Sequence, residues 1–426
     1  DLYGISVLDY MALYKKFSYT PQESYKLDHI AEYELGENKL DYSMYESMHE
    51  FYMQDFKRFV DYNIHDVVLV DKLEEKLKFI EQVLAIAYDA KVNYIDTFTT
   101  VGIWDVIITN YLLDRGVVVN HVEREDLEDR QEVDRELGPI VGAYVKDPQV
   151  GLHNWVCSFD LNSLYPHLIM QYNISPDTYA GFIDKMTIER CLDKQIGSDI
   201  EQQLQSDNQN VCPNGALFTK NKVGFLPTLM ENMYNDRTVW KKRMIDAKKA
   251  YEQTPTRQLE NEIARCNNMQ MAKKIQLNSA YGALGNVYFR WYQRNLAEAI
   301  TMSGQLSIRW MEKHINQYLN KLFKTENEDY VIACDTDSMY IRLERLVTNV
   351  FGQDQKDTQK IIKFLDDVCE KKIQPFIDKT FAELAEYMQV MNQKMVMKRE
   401  AIANKGIWTG KKHYILNVFN NEGVQY

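Results

Sequence analysis

The chain has 426 residues, too many for one ordinary domain and enough for several with their own cores. A formal charge of −12 argues against a protein that coats nucleic acid by bulk electrostatics, and no run approaches the roughly 18 apolar residues of a membrane-spanning helix. Six scattered cysteines without a CxxC pair give neither a zinc site nor a disulfide framework, and no charged-then-apolar leader occurs.

Residues 1–90 read as α/β. Ile5 to Leu8 begins as a strand and passes into an amphipathic helix, and apolar residues at three-to-four spacing predict a long helix from about Tyr45 to Ala87. Within it Tyr62 and Asp66 stand one turn apart on one face, a pattern that a plain solvated helix also produces. Residues 98–115 form another helix ending at Gly116, a good cap. An acidic connector follows, with eight acids against three arginines in residues 120–137, and Gly138-Pro139 closes it. Val156 to Phe159 then reads as a buried strand with Asp160 at its end, and Leu161 to Met170 as the helix after it, with Pro166 in the first turn. A carboxylate there, beside the N–H groups of a turn, suits a metal ion and its phosphates, and equally a simple N-cap. Residues 184–222 are polar and poorly periodic and read as loop or short helix.

From Pro227 to Tyr251 and from Arg257 to Leu284 the pattern is helical, broken at Thr254-Pro255, which predicts an antiparallel hairpin with arms of about 35 Å. Lys274, Asn278 and Tyr281 recur at i, i+4 and i+7 on the second arm. On the first, Arg237 and Lys241 are one turn apart, in a stretch (237–249) with six basic side chains against Asp246. Residues 287–325 and 355–390 are helical. Between them VIACDTDSMYI (331–341) predicts a hairpin with Asp335 and Asp337 at its tip, although Asp and Ser are good turn formers in any protein. The last segment reads as strand, glycine-containing turn and strand, with Lys411, Lys412, His413 and Tyr414 at the head of the final strand.

The order of these motifs resembles the family B DNA polymerases. Asp160-Leu-Asn-Ser163-Leu164-Tyr165-Pro166 is similar to their motif A. Lys274-x-x-x-Asn278-Ser279-x-Tyr281-Gly282 is similar to motif B, and Asp335-Thr336-Asp337-Ser338 to motif C. Lys411-Lys412-His413-Tyr414 looks like the primer-contacting element, with His413 where the family usually has Arg. GISVLDY, YGALGN and WTGKK resemble the replicative polymerases of T-even-like bacteriophages.

That resemblance implies a mixed α/β right-hand architecture with an antiparallel palm sheet, helical-hairpin fingers and a partial RNase H-like exonuclease domain. The implied domains are 1–80 (the C-terminal part of a 3′–5′ exonuclease domain), 81–118 (a helical segment of the N-terminal region), 119–224 (first part of the palm), 225–286 (fingers) and 287–426 (second part of the palm), with the thumb absent. The implied activity is addition of deoxynucleoside triphosphates to a primer 3′ end with release of pyrophosphate. Asp160 and Asp337, with the Leu161 carbonyl and Glu400, would hold two Mg²⁺ ions, which Mn²⁺ can replace. Asp335 would support them. The backbone of Ser163, Leu164 and Tyr165 would hold the triphosphate, with the Tyr165 ring as the gate against a ribose 2′-hydroxyl. Arg237, Lys241, Lys274, Asn278 and Tyr281 would bind the nucleotide, and Lys274 would protonate departing pyrophosphate. Lys411, Lys412, Tyr414 and Gly282 would contact DNA. Tyr62 and Asp66 match only the third exonuclease motif, so proofreading is expected to be inactive in this chain. Primer–template DNA, nucleotides, a sliding clamp and other replisome proteins are the implied partners, in the cytoplasm of a bacterial host and with no membrane. The alternative is a non-catalytic nucleotide- and DNA-binding piece, or a split subunit whose missing exonuclease and thumb segments come from another chain. A reverse transcriptase also uses paired aspartates, but the Lys274-to-Gly282 helix pattern disfavours it.

Overall fold

The computed structural model describes residues 4–18, 20–352, 357–421 and 424–425, folded as a mixed α/β chain. The elements before the first strand are α1 (Tyr10–Phe17), α2 (Leu27–Leu35), α3 (Met48–Gln54), α4 (Phe56–Leu77), α5 (Phe79–Ala90), α6 (Thr100–Leu113) and α7 (Arg124–Leu137). There follow β1 (Gly151–Leu161), α8 (Leu164–Tyr172), β2 (Tyr179–Phe182), α9 (Ile188–Leu192), α10 (Ser198–Ser206), β3 (Gln209–Val211) and β4 (Ala216–Thr219). Three long helices come next: α11 (Phe225–Gln253), α12 (Arg257–Leu284) and α13 (Arg294–Phe323). The chain finishes with β5 (Val331–Asp335), β6 (Ser338–Arg342), α14 (Glu344–Phe351), α15 (Thr358–Val368), α16 (Gln374–Tyr387), β7 (Met397–Gly410), β8 (His413–Asn421) and β9 (Val424–Gln425). Among the described residues no helix is long and apolar enough to cross a membrane.

Two compact units divide the chain, and their boundaries fall inside α11 and α12. The first takes residues up to 119 together with 234–276. Its core gathers Leu13, Tyr14 and Phe17 of α1, Ile30 of α2, Leu73 of α4, Phe79, Val83 and Ile86 of α5, and Ala272 of α12. A second cluster of rings joins Tyr42, Tyr45, Phe51, Phe59 and Tyr62. The expected strand at Ile5 to Leu8 is not formed: no described segment pairs with it, and Ile5 and Val7 are 63 and 67 % exposed. The described part of residues 1–90 is therefore helical where α/β was expected. The single helix predicted from Tyr45 to Ala87 is three helices. Asp55 leaves helical geometry and accepts the Arg58 N–H to start α4, and Lys78, at φ 56°, turns the chain into α5.

The second unit takes residues 120–233 and 277–426. The expected acidic connector is a helix, α7, because Glu123 and Asp126 form a reciprocal capping box and Arg130 donates to the Val287 and Phe289 carbonyls. The stretch read as loop or short helix at 184–222 contains the short helices α9 and α10, and also two unexpected strands of a small antiparallel sheet, ordered β2-β4-β3. Strands of three or four residues carry too few alternations for periodicity to register. Residues 287–293, expected to be helical, precede α13 as turns.

The main sheet of this unit is antiparallel, ordered β5-β6-β1-β7-β8-β9, with β1 near its middle. The edge beyond β5 is covered by the chain at 144–149: Lys146 N donates to Cys334 O, Gln149 N to Ile332 O, and Thr336 N to Tyr144 O, each at 3.0 Å. The half-buried α13, with 15 of its 30 residues in the interior, is the main helix of the layer, with α8 and α16 against it. All six cysteines are buried free thiols.

Candidate active site

The second unit brings the paired aspartates together through strand register. β1 is apolar and buried from Trp155 to Phe159, then reaches Asp160 opposite Ser338 of β6. One residue on, the Leu161 N–H donates to the Asp337 carbonyl at 2.9 Å, so Asp160 and Asp337 lie at adjoining ends of neighbouring strands. The β5–β6 turn is tight: Asp337 N donates to Asp335 O at 2.7 Å across Thr336, whose φ of 60° is an uncommon conformation for a β-branched residue. Such local strain persists only where the flanking pairing holds it, and it fixes the height at which Asp337 emerges.

The Asp337 carboxyl is held above the usual carboxylate range, chiefly by burial and then by the nearby Asp335 and Glu400 charges; its backbone hydrogen bond and Lys412 oppose the shift. Asp335 is ion-paired to Lys412 at 3.2 Å, and Glu400 accepts a hydrogen bond from Ser158 at 3.3 Å. Among the described residues no three His, Cys, Asp or Glu side chains lie close enough to form a ligand set alone. The donors present are nevertheless of the right kind. Mg²⁺ is characteristically held by one or two carboxylates with phosphate oxygens and water completing the shell, and a carboxylate that its neighbours make reluctant to ionise gains from an added cation.

After β1 the chain turns through Ser163, which has φ 47°, into α8. Tyr165 packs against Tyr281 of α12, ring centroids 4.9 Å apart and tilted by 48°. Gly304 of α13 lies against the ring: a Cβ there would sit 3.4 Å from both Leu164 and the Tyr165 ring, in ordinary contact. Burial, then Tyr281 and Asp337, push the Tyr165 hydroxyl up to about 12. Tyr281, Gly282 and Gly285 face Asp134, Arg135 and residues Gly138 to Ile140 across an open cleft of about 480 Å³.

Lys411 and Lys412 make the two-residue turn between β7 and β8, which brings Lys412 to Asp335, and Lys411 pairs with Asp147 at 3.1 Å. Tyr414 stacks on Trp408 with centroids at 5.5 Å, and its hydroxyl meets that of Tyr340 at 2.7 Å.

In the first unit three cationic residues lie near one another. Arg237, Lys241 and Lys274 are near enough that burial, followed by the other two charges, depresses the Lys274 ammonium below the ordinary lysine range. Lys273, which sequence reasoning passed over, faces a different environment: it pairs with Asp89 of α5 at 2.8 Å and with Asp236 of α11 at 3.1 Å. Also unforeseen is Lys39, which pairs with Asp66 at 2.7 Å and lies over the Tyr62 ring at 4.6 Å. No local pattern marks Lys39, because it comes from a loop far from α4 in sequence. A faint signal existed for Lys146 in GAYVKDP; it is nearly buried between Glu312 and Asp329, both at 2.7 Å.

The profile of DNA polymerase family B matches residues 102–407, and the chain belongs to that family. It is 35% identical to the DNA-directed DNA polymerase of Escherichia phage RB69 over all of its length, and 30% identical to that of Enterobacteria phage T4 over 99% of it. These matches cover 50% and 51% of the two phage proteins, so the chain spans about half the length of these relatives. DNA polymerase 1 of Pyrococcus abyssi is 28% identical over 63% of this chain and 30% of its own.

Proposed function

We propose that this chain is a template-directed DNA polymerase core that extends a primer 3′ end with deoxynucleoside triphosphates. The observation that carries the reading is the register of β1 against β6, which sets Asp160 beside Asp337 immediately before the Ser163–Tyr165 turn. In this reading the six-stranded sheet is the palm, the paired helices α11 and α12 are the fingers, and the helices before residue 80 are part of an exonuclease domain. Asp160 and Asp337, with the Leu161 carbonyl, would hold divalent ions, whose chemistry when bound would be to activate the primer hydroxyl and neutralise charge on the transferring phosphoryl group.

The chain's own groups do the rest. The backbone N–H groups of Ser163 to Tyr165 orient the triphosphate at the start of α8. Tyr165, packed against Tyr281, excludes a 2′-hydroxyl. Arg237, Lys241, Lys274 and Asn278 bind the triphosphate, and Lys274, whose proton is held less tightly than an ordinary lysine's, passes it to pyrophosphate. Glu400 and Asp335 shape the charge around Asp337. Lys411, Lys412, Tyr414 and Gly282 contact primer–template DNA, with Lys412 exchanging Asp335 for a phosphate.

The test is Mg²⁺-dependent extension of a labelled primer–template, with Asp337→Ala as control. Extension by the parent chain and its loss in the variant is the expected result. No extension at high enzyme and low salt would overturn the reading of a self-sufficient core.

A further inference from the structure

The part of the helical pair around the turn between its arms carries more charge than the proposed chemistry uses, Lys241 alone being assigned to the nucleotide. Residues 239–265 contain seven basic side chains (Lys241, Lys242, Arg243, Lys248, Lys249, Arg257, Arg265) against four acids, a local excess of +3 in a chain of −12. Within the described residues none of the seven enters an ion pair. Glu262, the acid one turn before Cys266, instead accepts from that thiol at 3.3 Å.

Two of these cations are held in place by an aromatic ring. Arg243 of α11 lies 5.1 Å from the centroid of Trp240, and Arg265 of α12 lies 5.8 Å from the same ring. One indole thus fixes a guanidinium from each helix, both exposed at the surface, while the indole itself is only partly covered. On the same helix Lys242 and Lys249 are seven residues apart, two turns or about 10 Å, and so share a face. Like charges gathered without counter-ions raise the energy of the free protein, and a polyanion relieves that cost. A repeating phosphate chain satisfies several cations at once, and an aromatic among them adds a stacking surface for unpaired bases, the combination that single-strand binders use.

We propose that the surface centred on Trp240, Arg243 and Arg265, with Lys242, Lys248 and Lys249, binds single-stranded DNA; resting on the polymerase reading, the strand is the unpaired template. The residues are separate from those assigned to nucleotide chemistry, save Lys241, which the test leaves untouched.

The experiment is fluorescence anisotropy of the full chain with two labelled primer–templates, one with a template overhang of about 2 nucleotides and one of about 12, a length within single-strand site sizes. The parent protein is expected to bind the longer overhang at least ~3-fold more tightly, with a steeper salt dependence. Arg243→Glu/Arg265→Glu should remove that preference and lower the log–log salt slope by about 1.4, two single-strand phosphate contacts. Extension on the short overhang should stay unchanged, which separates failure of this surface from failure of the polymerase reading. Lys248→Glu/Lys249→Glu, at exposed positions, serves if the arginine pair lowers the helical circular dichroism, and should reduce the preference at least ~2-fold through one lost contact or more. Equal binding of both substrates by the parent, an unchanged preference in the folded variants, or an equal gain when the overhang is made duplex or replaced by polyglutamate would overturn the proposal.

Discussion

Lys273 and Lys274 are adjacent and chemically identical, yet their environments predict different consequences of the same substitution: the first bears on stability, the second on nucleotide turnover. The Lys273 side chain is 9% exposed and bridges Asp89, 18% exposed, and Asp236, 57% exposed. Breaking a buried ion pair by removing one partner costs about 3–5 kcal/mol, whereas an exposed pair is worth roughly 0–1 kcal/mol. Lys273→Met keeps most of the stem's packing but strands the Asp89 charge. Water reaches part of Asp89, which brings the expected loss to about 2–4 kcal/mol, nearly all from that partner. Lys274→Met removes a cation from beside Arg237 and Lys241 and should sharply weaken nucleotide turnover. The assay is urea unfolding of both variants, followed by helical circular dichroism, with Asp89→Asn completing a double-mutant cycle. A loss below ~0.5 kcal/mol in Lys273→Met, set against the ~2–4 kcal/mol expected, would refute the argument.

The same geometry gives four further expectations. Tyr165→Ala should raise ribonucleotide incorporation in single-turnover assays, and unchanged sugar discrimination would remove Tyr165 as the gate. Because the Lys274 pKa is lowered, the folded chain binds fewer protons there than the unfolded chain between the depressed value and the ordinary 10.5, so this group's contribution to stability rises with pH across that window. Nucleotide affinity should fall over the same window as the ammonium is lost, and the fall should vanish in Lys274→Met when KM is followed against pH. Gly406→Ala would set a methyl 2.6 Å from Leu416 and 2.7 Å from the Trp408 ring, so thermal melting should reveal a loss of about 1–3 kcal/mol. With Asp66 held by Lys39, the chain should leave a mismatched primer terminus intact in Mg²⁺ without nucleotides, and steady excision that Asp66→Ala abolishes would contradict this.

Legibility from sequence followed the physics of each segment. The hairpin at 331–341 was readable because alternation flanks a two-residue turn, and the buried strand before Asp160 because an apolar run ends at a single carboxylate. Long helices broken by Thr254-Pro255 announced themselves by period and by a residue that cannot continue a helix. What stayed hidden depends on contacts distant in sequence. Ile5 to Leu8 has strand composition, but a strand requires a partner, and none of the described segments supplies one. The acids of α7 looked like a solvated connector because the capping box and the Arg130 bonds to residues 287 and 289 cannot be weighed from a local window. The different surroundings of Lys273 and Lys274, and the hold of Lys39 on Asp66, arise from packing that no periodicity encodes.

The central claim is templated phosphoryl transfer by Asp160 and Asp337. Single-nucleotide extension on four primer–templates that differ only at the templating base, with pyrophosphate measured alongside, tests it most directly. The account predicts that each template selects its complementary nucleotide, releases one pyrophosphate per addition, and loses both signals in Asp160→Ala and Asp337→Ala. Extension that ignores the template, or that survives either substitution at the parent rate, would contradict it.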